Sequence, residues 1–353
     1  MKNKIIMKKF LFIILIFISA IACAQSFDDK TLTVAFWNLE NLFDTIDDPQ
    51  KNDEEFLPGG AKQWNEERLE RKFYNLSRVI RSMNNGNGPD ILGVCEVEHK
   101  YLLDSLISKH LFDKNYISVS PDAPDERGIQ TGMIFNSSKF DLLEIYSDTV
   151  ILDQSINTRL ILGVKLRLKH QDTFYVFVNH WPSRRGGEKE SEIRRIKAAR
   201  TLKKRIENIL DNNKYAKIIV MGDFNDEPTN NSILNYLKAK PVICDSVEMI
   251  QEISSAEDNS DLFNLSYHSF SIGEGSYKHQ DNWNMLDQII VSRELLIGNK
   301  VRYLCNSFQV YKPEFMITKS GKYQGTPFPT YGGNRYLGGY SDHFPVIAKF
   351  ILE

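Results

Sequence analysis

Cysteine is scarce in this chain, whose 353 residues include four. The three that follow the N-terminal segment, Cys95, Cys244 and Cys305, lie far apart, whereas the cysteine ligands of structural zinc sites come in closely spaced pairs. This spacing disfavours a cysteine-based zinc site. We expect all three to be buried, reduced side chains, and one disulfide between two of them is the less favoured alternative.

An excess of positive charge is also missing. Lysine and arginine total 44 against 46 aspartates and glutamates, which gives a formal net charge of −2. Removal of the four lysines that precede residue 24 takes this charge to about −6. A generally basic surface that coats nucleic acid is therefore not expected, and any contact with a polyanion must be local.

Long apolar runs are absent except near the N-terminus, where residues 10–18 follow four lysines. This run is too short to span a bilayer comfortably and leads into small residues. It predicts a signal peptide over residues 1–24 and export to the periplasm or the cell exterior. Two forms of processing stay open, because cleavage before Gln25 would release a soluble protein and lipid attachment at Cys23 would anchor it to a membrane.

The remaining residues, 25–353, contain no internal repeat or evident linker and predict one domain. Apolar, β-branched runs predict strands, and apolar residues at helical spacing predict amphipathic helices. The predicted strands are 32–37, 91–95, 133–136, 160–168, 174–178, 217–221, 286–292 and 346–351, and the predicted helices are 65–83, 101–110, 190–210 and 232–239. This mixture of strand–helix units and hairpins favours an α/β domain with a mixed sheet core. The glycine-, proline- and tyrosine-rich stretch 313–340 predicts a functional loop or lid.

Side chains suited to metal binding or acid–base chemistry recur at the ends of these strands. They are Asn38, Glu96, His180, Asp223 with Asn225, Asp287, and Asp342 with His343. In sheet-based enzymes the strand ends hold convergent polar groups on a rigid scaffold. Each motif alone has an ordinary explanation, such as a turn asparagine or a solvated acid. Their recurrence indicates a single catalytic centre.

In this order the motifs resemble those of the endonuclease/exonuclease/phosphatase superfamily, which contains deoxyribonuclease I, abasic-site endonucleases, sphingomyelinases and inositol-phosphate phosphatases. The resemblance runs from Val34 to Val346. Segments 179–187 and 331–343 are similar to those of an exported bacterial branch. The resemblance implies a deoxyribonuclease I-like fold, a four-layer α/β sandwich in which two mixed β-sheets pack face to face with helices outside.

The resemblance also implies a role for each residue. Glu96 would be the principal ligand of Mg²⁺, or of Mn²⁺ in its place, and Asn38 and Asp342 would complete or support one or two ion sites. Carboxylate and amide oxygens are the ligands that Mg²⁺ prefers. His343 would be the base that activates water, with Asp287 fixing its tautomer and raising its basicity.

On the phosphate side, Asn225 would hydrogen-bond the phosphoryl oxygen as charge develops on it. Asp223 would orient the water or bind metal, and His180 would donate to the phosphate or protonate the leaving oxygen. Gln130 stands where many relatives have an acid that faces the first histidine. A cationic His180 would therefore have weaker support in this chain.

Three arginines are candidate phosphate contacts. Arg184 and Arg185 follow His180 closely and predict a guanidinium contact with a substrate phosphate, with a solvated basic turn as the alternative. Arg335 lies among tyrosines and predicts a stacking, cationic surface, with aromatic packing as the alternative. His99, like the other remaining histidines, has no partner evident in the sequence, and we expect it to be ordinary.

These features predict an exported, metal-dependent phosphodiesterase that acts as a monomer without a stable protein partner. The leading hypothesis is an endonuclease with limited sequence preference, whose substrate is nucleic acid. One alternative is a phosphatase or sphingomyelinase-like phosphodiesterase acting on lipids or small phosphoesters, although no clear membrane-contacting hairpin is evident. The other alternative is a non-catalytic surface binding module on the same scaffold, which the full set of catalytic residue types disfavours.

Overall fold

The computed structural model describes residues 30–152, 158–169, 172–244, 253 and 260–353. The predicted signal peptide, 1–24, and the lipid-acceptor candidate Cys23 lie outside the described residues. Among the helices within those ranges, none is both long enough and apolar enough to cross a bilayer.

The regular elements are numbered here in chain order. The strands are β1 (Thr31–Leu42), β2 (Ile91–Val97), β3 (Tyr116–Val119), β4 (Gln130–Asn136), β5 (Phe140–Asp148), β6 (Ile161–Leu168), β7 (Thr173–His180), β8 (Lys217–Asp223), β9 (Ala239–Pro241), β10 (Leu262–Asn264), β11 (Tyr277–His279), β12 (Asn282–Asn284), β13 (Asp287–Ser292), β14 (Val301–Tyr303), β15 (Gln309–Val310), β16 (Tyr331–Gly332), β17 (Arg335–Tyr336) and β18 (Val346–Leu352). The α-helices are α1 (Glu66–Ser82), α2 (Lys100–His110), α3 (Glu188–Asn212), α4 (Tyr267–Ser271) and α5 (Glu294–Ile297). Short 3-10 turns occupy Glu54–Phe56, Asn84–Gly86 and Glu314–Met316, and a π-helical turn occupies Ser232–Tyr236.

Most of these strands form two seven-stranded mixed sheets. The first has the order β14-β18-β1-β2-β4-β3, with β15 also paired to β18, and the second has the order β5-β6-β7-β8-β13-β10-β9. In the first sheet β1 is parallel to β2 and antiparallel to β18. In the second, β7 is parallel to β8, and β8 is antiparallel to β13. The pairs β11-β12 and β16-β17 are separate hairpins.

The two sheets pack face to face, with β1 and β2 against β7 and β8. A Cβ atom at Gly93 of β2 would lie 2.5 Å from the Sδ atom of Met221 on β8, so a larger residue there would displace the Met221 side chain from between the sheets. Apolar residues of both inner faces and of α1 and α2 form one buried cluster, and α3 packs a second cluster against the outer face of the second sheet. This arrangement confirms the predicted four-layer sandwich.

Two predictions about local structure are wrong. Cys244 forms a disulfide with Cys305, and Cys95 is the buried free cysteine among the described residues. That pairing arises from tertiary contact between segments 61 residues apart, which cysteine spacing does not reveal. The helix predicted over 232–239 is a single π-helical turn, because Lys238 has a left-handed backbone with a φ of 58° and the chain then enters β9.

The segment 313–340 is fastened to the first sheet and to α1. The Lys72 ammonium, buried at the base of the segment, donates to the Thr330 hydroxyl (2.6 Å) and to the Tyr340 carbonyl (2.9 Å). The Glu40 carboxylate accepts from the Thr330 amide at 2.6 Å, and the Asn75 amide donates to the Gly339 carbonyl at 2.7 Å. Buried, charge-assisted hydrogen bonds of this kind hold a segment in one position. These contacts fasten the C-terminal part of the segment, at Thr330, Gly339 and Tyr340. The role of the segment as a functional loop or lid stays a prediction.

Candidate active site

The side chains singled out in the sequence converge where strands of both sheets end. Asn38 and Glu96 lie on β1 and β2 of the first sheet, and Asp342 and His343 precede its strand β18. On the second sheet His180, Asp223 and Asp287 lie on β7, β8 and β13, and Asn225 follows β8. In the second sheet the strand register explains the convergence, because Asp223 is paired with His180 on one side and with Asp287 on the other. Residues paired in register project their side chains from the same face of a sheet.

Two of these residues have an unusual backbone conformation. Glu96 and Asn225 have φ values of 61° and 50°, in the left-handed region that most non-glycine residues avoid. At Glu96 the pairing of β2 with β4 is also irregular. Backbone strain of this kind concentrates at functional sites, where it aims a side chain that regular pairing would point elsewhere.

Asp287 and His343 form a buried pair. The Nδ1 atom of His343 lies 2.6 Å from an Asp287 oxygen that also accepts from the Ser276 hydroxyl at 2.5 Å. The Tyr277 ring stacks on the His343 ring with 4.6 Å between centroids. These contacts hold the imidazole in one orientation, with its Nε2 atom 4.0 Å from an Asp223 oxygen.

The charge state of His343 is set by its neighbours. Burial lowers its pKa, but the carboxylates of Asp287, Asp342 and Asp223, together with the hydrogen bond to Asp287, outweigh burial and raise the pKa well above the usual value of 6.5. The site therefore stabilises the imidazolium form. A histidine that gains a proton in a reaction is stabilised by the same surroundings.

His180 has the opposite environment. Burial, the guanidinium groups of Arg159 and Arg127, and His343 all lower its pKa, well below the usual value. Its Nε2 atom lies 3.8 Å from Glu96 and 3.9 Å from Asp223. Its Nδ1 atom is buried and, within the part of the chain that the structure describes, has no hydrogen-bond partner. His180 is therefore a neutral imidazole in this arrangement.

Gln130 does not hydrogen-bond His180. Its side-chain amide donates to the Glu98 carbonyl at 2.7 Å, while its own side-chain oxygen is buried without a partner among the described residues. The expectation that Gln130 gives His180 little support as a cation agrees with this geometry.

Asp223 lies at the centre of the site. One of its oxygens accepts from the Asn38 side chain at 3.1 Å, and the other accepts from the Asn225 backbone amide at 3.0 Å. Burial raises the Asp223 pKa to about 6, and Asp287 adds to this, although His343 and the two hydrogen bonds oppose it. The Asn225 side-chain amide donates one hydrogen to the Trp181 carbonyl at 3.0 Å.

Glu96 and Asp342 are two further carboxylates of the site. In the described residues neither carboxylate has an ion pair with a lysine or arginine, and the Glu96 side chain accepts from the Asn41 amide at 3.0 Å. Burial raises the Asp342 pKa to about 7, with Glu40 and Glu96 adding to the effect and His343 and Lys72 opposing it. Uncompensated carboxylates with the nearby Asn38 amide are an oxygen-rich donor set of the kind that hard cations prefer.

Two other groupings within the active site fit a metal less well. Asp223, Asp287 and His343 bring ligand atoms within 4.8 Å of one another, but the Asp287–His343 hydrogen bond already engages the imidazole Nδ1. The second grouping, in which ligand atoms also lie within 4.8 Å of one another, is Cys95, His180 and Asp223. Burial raises the pKa of the Cys95 thiol well above its usual value, so the thiol stays protonated and is a poor metal ligand.

The three candidate arginines lie in different places. The Arg184 guanidinium donates to the Asn225 carbonyl at 2.8 Å and to the Asn230 side chain at 3.1 Å, so it braces the loop that carries Asn225. Arg185 is exposed. Arg335, on β17, lines a cavity of about 1000 Å³ that also reaches Asp342. Their contacts with substrate phosphate stay predictions.

Sequence reasoning missed several residues of the site. Arg127 and Arg159 bring positive charge towards His180, and Ser276 and Tyr277 hold the Asp287–His343 pair. Arg127 lies three residues before Gln130, a residue already singled out in the sequence, so its position could have been noticed. The others lie in connections or short hairpins without periodic patterning.

A two-sheet α/β sandwich whose strand ends join uncompensated carboxylates, an Asp–His pair and a second histidine is suited to phosphoester hydrolysis. Residues 33–351 match the Endonuclease/Exonuclease/phosphatase family, and the chain belongs to that family. It is therefore a phosphoesterase-type hydrolase, of a group whose enzymes generally depend on a divalent metal. Among curated proteins none matches the sequence.

Solved structures show the same fold at low sequence identity. The human Nocturnin catalytic domain with bound sulfate is 17% identical, with 92% of this chain and 95% of that chain covered and a TM-score of 0.53. The mannosyl-6-phosphatase of Bacteroides thetaiotaomicron is 15% identical over 91% and 99% of the two chains, with a TM-score of 0.56. D. rerio TDP2 complexed with single-strand DNA product is 15% identical over 91% and 98%, with a TM-score of 0.53. This similarity establishes the deoxyribonuclease I-like fold alone.

Proposed function

We propose that this protein is an exported, Mg²⁺-dependent phosphodiesterase, and that its substrate is nucleic acid, cleaved as by an endonuclease. The observation that carries the proposal is the Asp287–His343 pair, 2.6 Å apart, beside the carboxylates Glu96 and Asp342, which have no cationic ion-pair partner among the described residues. A base next to a cation-binding site is what hydrolysis of a charged diester requires.

In the proposed mechanism the neutral form of His343 takes a proton from water through its Nε2 atom. A cation held by Glu96 and Asp342 would favour this neutral form, because it would offset the charge of Asp342 that raises the His343 pKa. The distance of 4.0 Å between Nε2 and an Asp223 oxygen is too long for a direct hydrogen bond, and the attacking water would lie between these two atoms. Asp287 accepts the proton of Nδ1 and stabilises the imidazolium that forms, while Ser276 and Tyr277 keep the ring in place. Asp223 accepts a hydrogen bond from the same water and so orients it.

The cation would be held by Glu96 and Asp342, with the Asn38 amide completing or supporting the site. A bound Mg²⁺ would supply positive charge that offsets the negative charge of the phosphate and of the leaving oxygen. Mn²⁺ is the expected substitute, because it accepts the same oxygen ligands.

The phosphate is contacted by neutral donors and by nearby positive charge. His180 serves as a neutral N–H donor, since burial and the guanidinium groups of Arg127 and Arg159 keep its pKa low. Asn225 has a second amide hydrogen beyond the one bonded to Trp181, and this hydrogen is available for a phosphoryl oxygen. Protonation of the leaving oxygen by a cationic His180 is disfavoured in this arrangement.

The cavity beside Asp342 supports a nucleic acid substrate. Its wall combines aromatic residues, Tyr277, Phe328 and Tyr331 among them, with the cations Lys278 and Arg335. Aromatic faces stack on bases and cations contact the phosphate backbone. The fold it shares with D. rerio TDP2, which was solved with a single-strand DNA product, is compatible with this choice.

The test begins with protein stripped of metal by a chelator. Mg²⁺, Mn²⁺ or Zn²⁺ is returned, and cleavage is measured with duplex DNA, single-stranded DNA, RNA, sphingomyelin, bis(p-nitrophenyl) phosphate and a phosphomonoester. We expect Mg²⁺ or Mn²⁺ to restore cleavage of nucleic acid in the wild type and not in Glu96→Gln. Glu54→Gln, which alters an exposed acid in the 3-10 turn Glu54–Phe56, is the control. Restoration by Zn²⁺ alone would contradict the metal assignment, and cleavage of the monoester with all diesters intact would make the protein a phosphatase.

Export is tested separately by mass spectrometry of the protein recovered from the cells that produce it. Cleavage before Gln25 gives the proposed soluble form, and a lipid-modified Cys23 gives the anchored form. An intact N-terminus in the cytoplasm would contradict export.

A further inference from the structure

We infer a second divalent-cation site, formed by Asp44, Glu98 and His99 with Asp53 beside them and separate from the catalytic carboxylates. One ligand atom from each of the first three lies within 4.8 Å of the others. Asp44 follows β1, and Glu98 and His99 follow β2. Because these two strands run parallel, their ends lie next to each other.

Two buried oxygens at this place have no hydrogen-bond partner among the described residues: Glu98 Oε1 and Asp53 Oδ1. Both side chains are nearly inaccessible, with 1% of each residue exposed. The second oxygen of each is held by a backbone amide, Glu98 Oε2 by Asp44 at 2.7 Å and Asp53 Oδ2 by Asp48 at 3.0 Å. The carboxylates are thus fixed in position with one oxygen left over, and a buried, unsatisfied carboxylate oxygen is costly unless a cation binds it.

Lysine and arginine side chains do not neutralise these carboxylates. Across the ranges that the structure describes, no lysine or arginine forms an ion pair with Asp44, Asp53 or Glu98. The nearby Lys51 is engaged elsewhere, since its ammonium donates to the carbonyls of Ala123 and Asp125. Three buried carboxylates without a cationic partner are expected to coordinate a metal or to share a proton.

The ligand types indicate which metal fits. Carboxylate oxygens together with one imidazole suit Zn²⁺ or Mn²⁺ better than Ca²⁺, which prefers an all-oxygen set. Tyr101 positions two of the ligands, because its ring stacks on His99 at 5.6 Å and its hydroxyl donates to Asp44. His99 is half-buried, which gives the ion a route from solvent.

The consequence is structural. The ion would join the segment that follows β1 to the end of β2, and Glu98 is two residues from Glu96 on that strand. It would therefore stabilise the region that supports the catalytic carboxylate without touching substrate. The competing state is a proton shared between Glu98 and Asp53, which requires no metal. Burial raises the Glu98 pKa to about 8, and Asp53 adds to this effect, so in the absence of metal the shared proton is the favoured state.

The experiment uses Glu96→Gln protein, in which the catalytic cation site is impaired, so the result does not depend on the proposed activity. Stripped protein is dialysed against Zn²⁺, and bound metal is counted by mass spectrometry. We expect about one equivalent, at least ten-fold weaker binding after His99→Ala is added, and the same loss with Glu98→Gln. Glu54→Gln is the matched control in the same segment, and circular dichroism checks that each variant is folded.

Co²⁺, bound in place of Zn²⁺, provides a second measurement, because its visible absorption reports on the ligands of the ion and not on the affinity of the site. Its visible absorption in Glu96→Gln protein should change when His99→Ala removes the imidazole ligand, and should not change with the exposed His268→Ala. Failure of Glu96→Gln protein to bind Zn²⁺ would overturn the inference and favour the shared proton. Binding that is indifferent to both His99→Ala and Glu98→Gln would also overturn it.

Discussion

The two histidines of the active site are both buried, yet their neighbours give them opposite character. The His343 Nδ1 atom is bonded to Asp287, and surrounding carboxylates raise the pKa of the imidazole well above its usual value. The His180 Nδ1 atom has no partner among the described residues, and burial together with nearby guanidinium groups lowers its pKa. Burial alone therefore does not assign a role. The signs of the neighbouring charges separate a proton-accepting His343 from a neutral, donating His180.

The largest expected effect distinguishes the two histidines by activity. His343→Ala should lower kcat with Mg²⁺ by about 10³- to 10⁴-fold, because it removes the base, and His180→Ala should cost about 10- to 100-fold, because it removes one neutral donor. Hydrolysis of bis(p-nitrophenyl) phosphate measures both. The exposed His268→Ala is the control. Equal losses in the two variants would contradict the division of roles.

Asp287→Asn should weaken His343 without removing it. An amide in place of the carboxylate no longer stabilises the imidazolium and permits the wrong tautomer, so we expect kcat to fall by about 10²-fold with little change in KM. Steady-state kinetics on the same diester provide the measurement. A rise in KM at constant kcat would place Asp287 in substrate binding instead.

The polar residues at the strand ends were predictable because each one lies at or close to the end of an apolar run that itself predicts a strand. Apolar runs such as 217–221 predict where a strand lies, and a polar side chain that follows, such as Asp223, stands at its end. Similarity of the motif order to a known superfamily then predicted the two-sheet fold. Both signals are local in sequence.

Strand β5 and two of the residues that surround the histidines were not predicted, because their positions depend on tertiary contacts. Strand β5 lies at the edge of the second sheet and exposes Leu142, Leu143 and Ile145. Because the apolar residues of this strand do not alternate with polar ones, the sequence pattern did not predict it. Arg159 and Tyr277 reach the histidines from connections and a short hairpin. No periodic pattern marks such positions.

The pH dependence of stability should also separate the histidines, with opposite slopes in the metal-free protein. The folded-state pKa of His343 is raised, so its contribution to the free energy of unfolding is fully present below pH 6.5 and is lost as pH rises through the folded-state pKa. The folded-state pKa of His180 is lowered, so its contribution is present above pH 6.5 and is lost as pH falls. Each pKa unit corresponds to about 1.4 kcal/mol.

Urea unfolding between pH 5 and 9 measures these slopes. The stability difference between wild type and His343→Gln should shrink towards pH 9, and that between wild type and His180→Gln should shrink towards pH 5. Parallel curves for the two variants would mean that the histidines share one electrostatic environment.

The smallest expected effect concerns Tyr277, whose ring stacks on His343 at 4.6 Å. Tyr277→Leu should lower kcat by about three- to ten-fold, since the imidazole loses a packing partner but keeps its bond to Asp287. Tyr277→Phe should restore the activity if stacking is what matters. A Phe variant as slow as the Leu variant would assign the role to the hydroxyl.

Chemical rescue by imidazole tests most directly whether His343 is the base. We expect imidazole added to His343→Ala to restore saturable, Mg²⁺-dependent diester cleavage that increases with the fraction of neutral imidazole, and we expect no such rescue of His180→Ala. Rescue of His180→Ala alone, or a His343→Ala variant as active as the wild type, would contradict this role of His343.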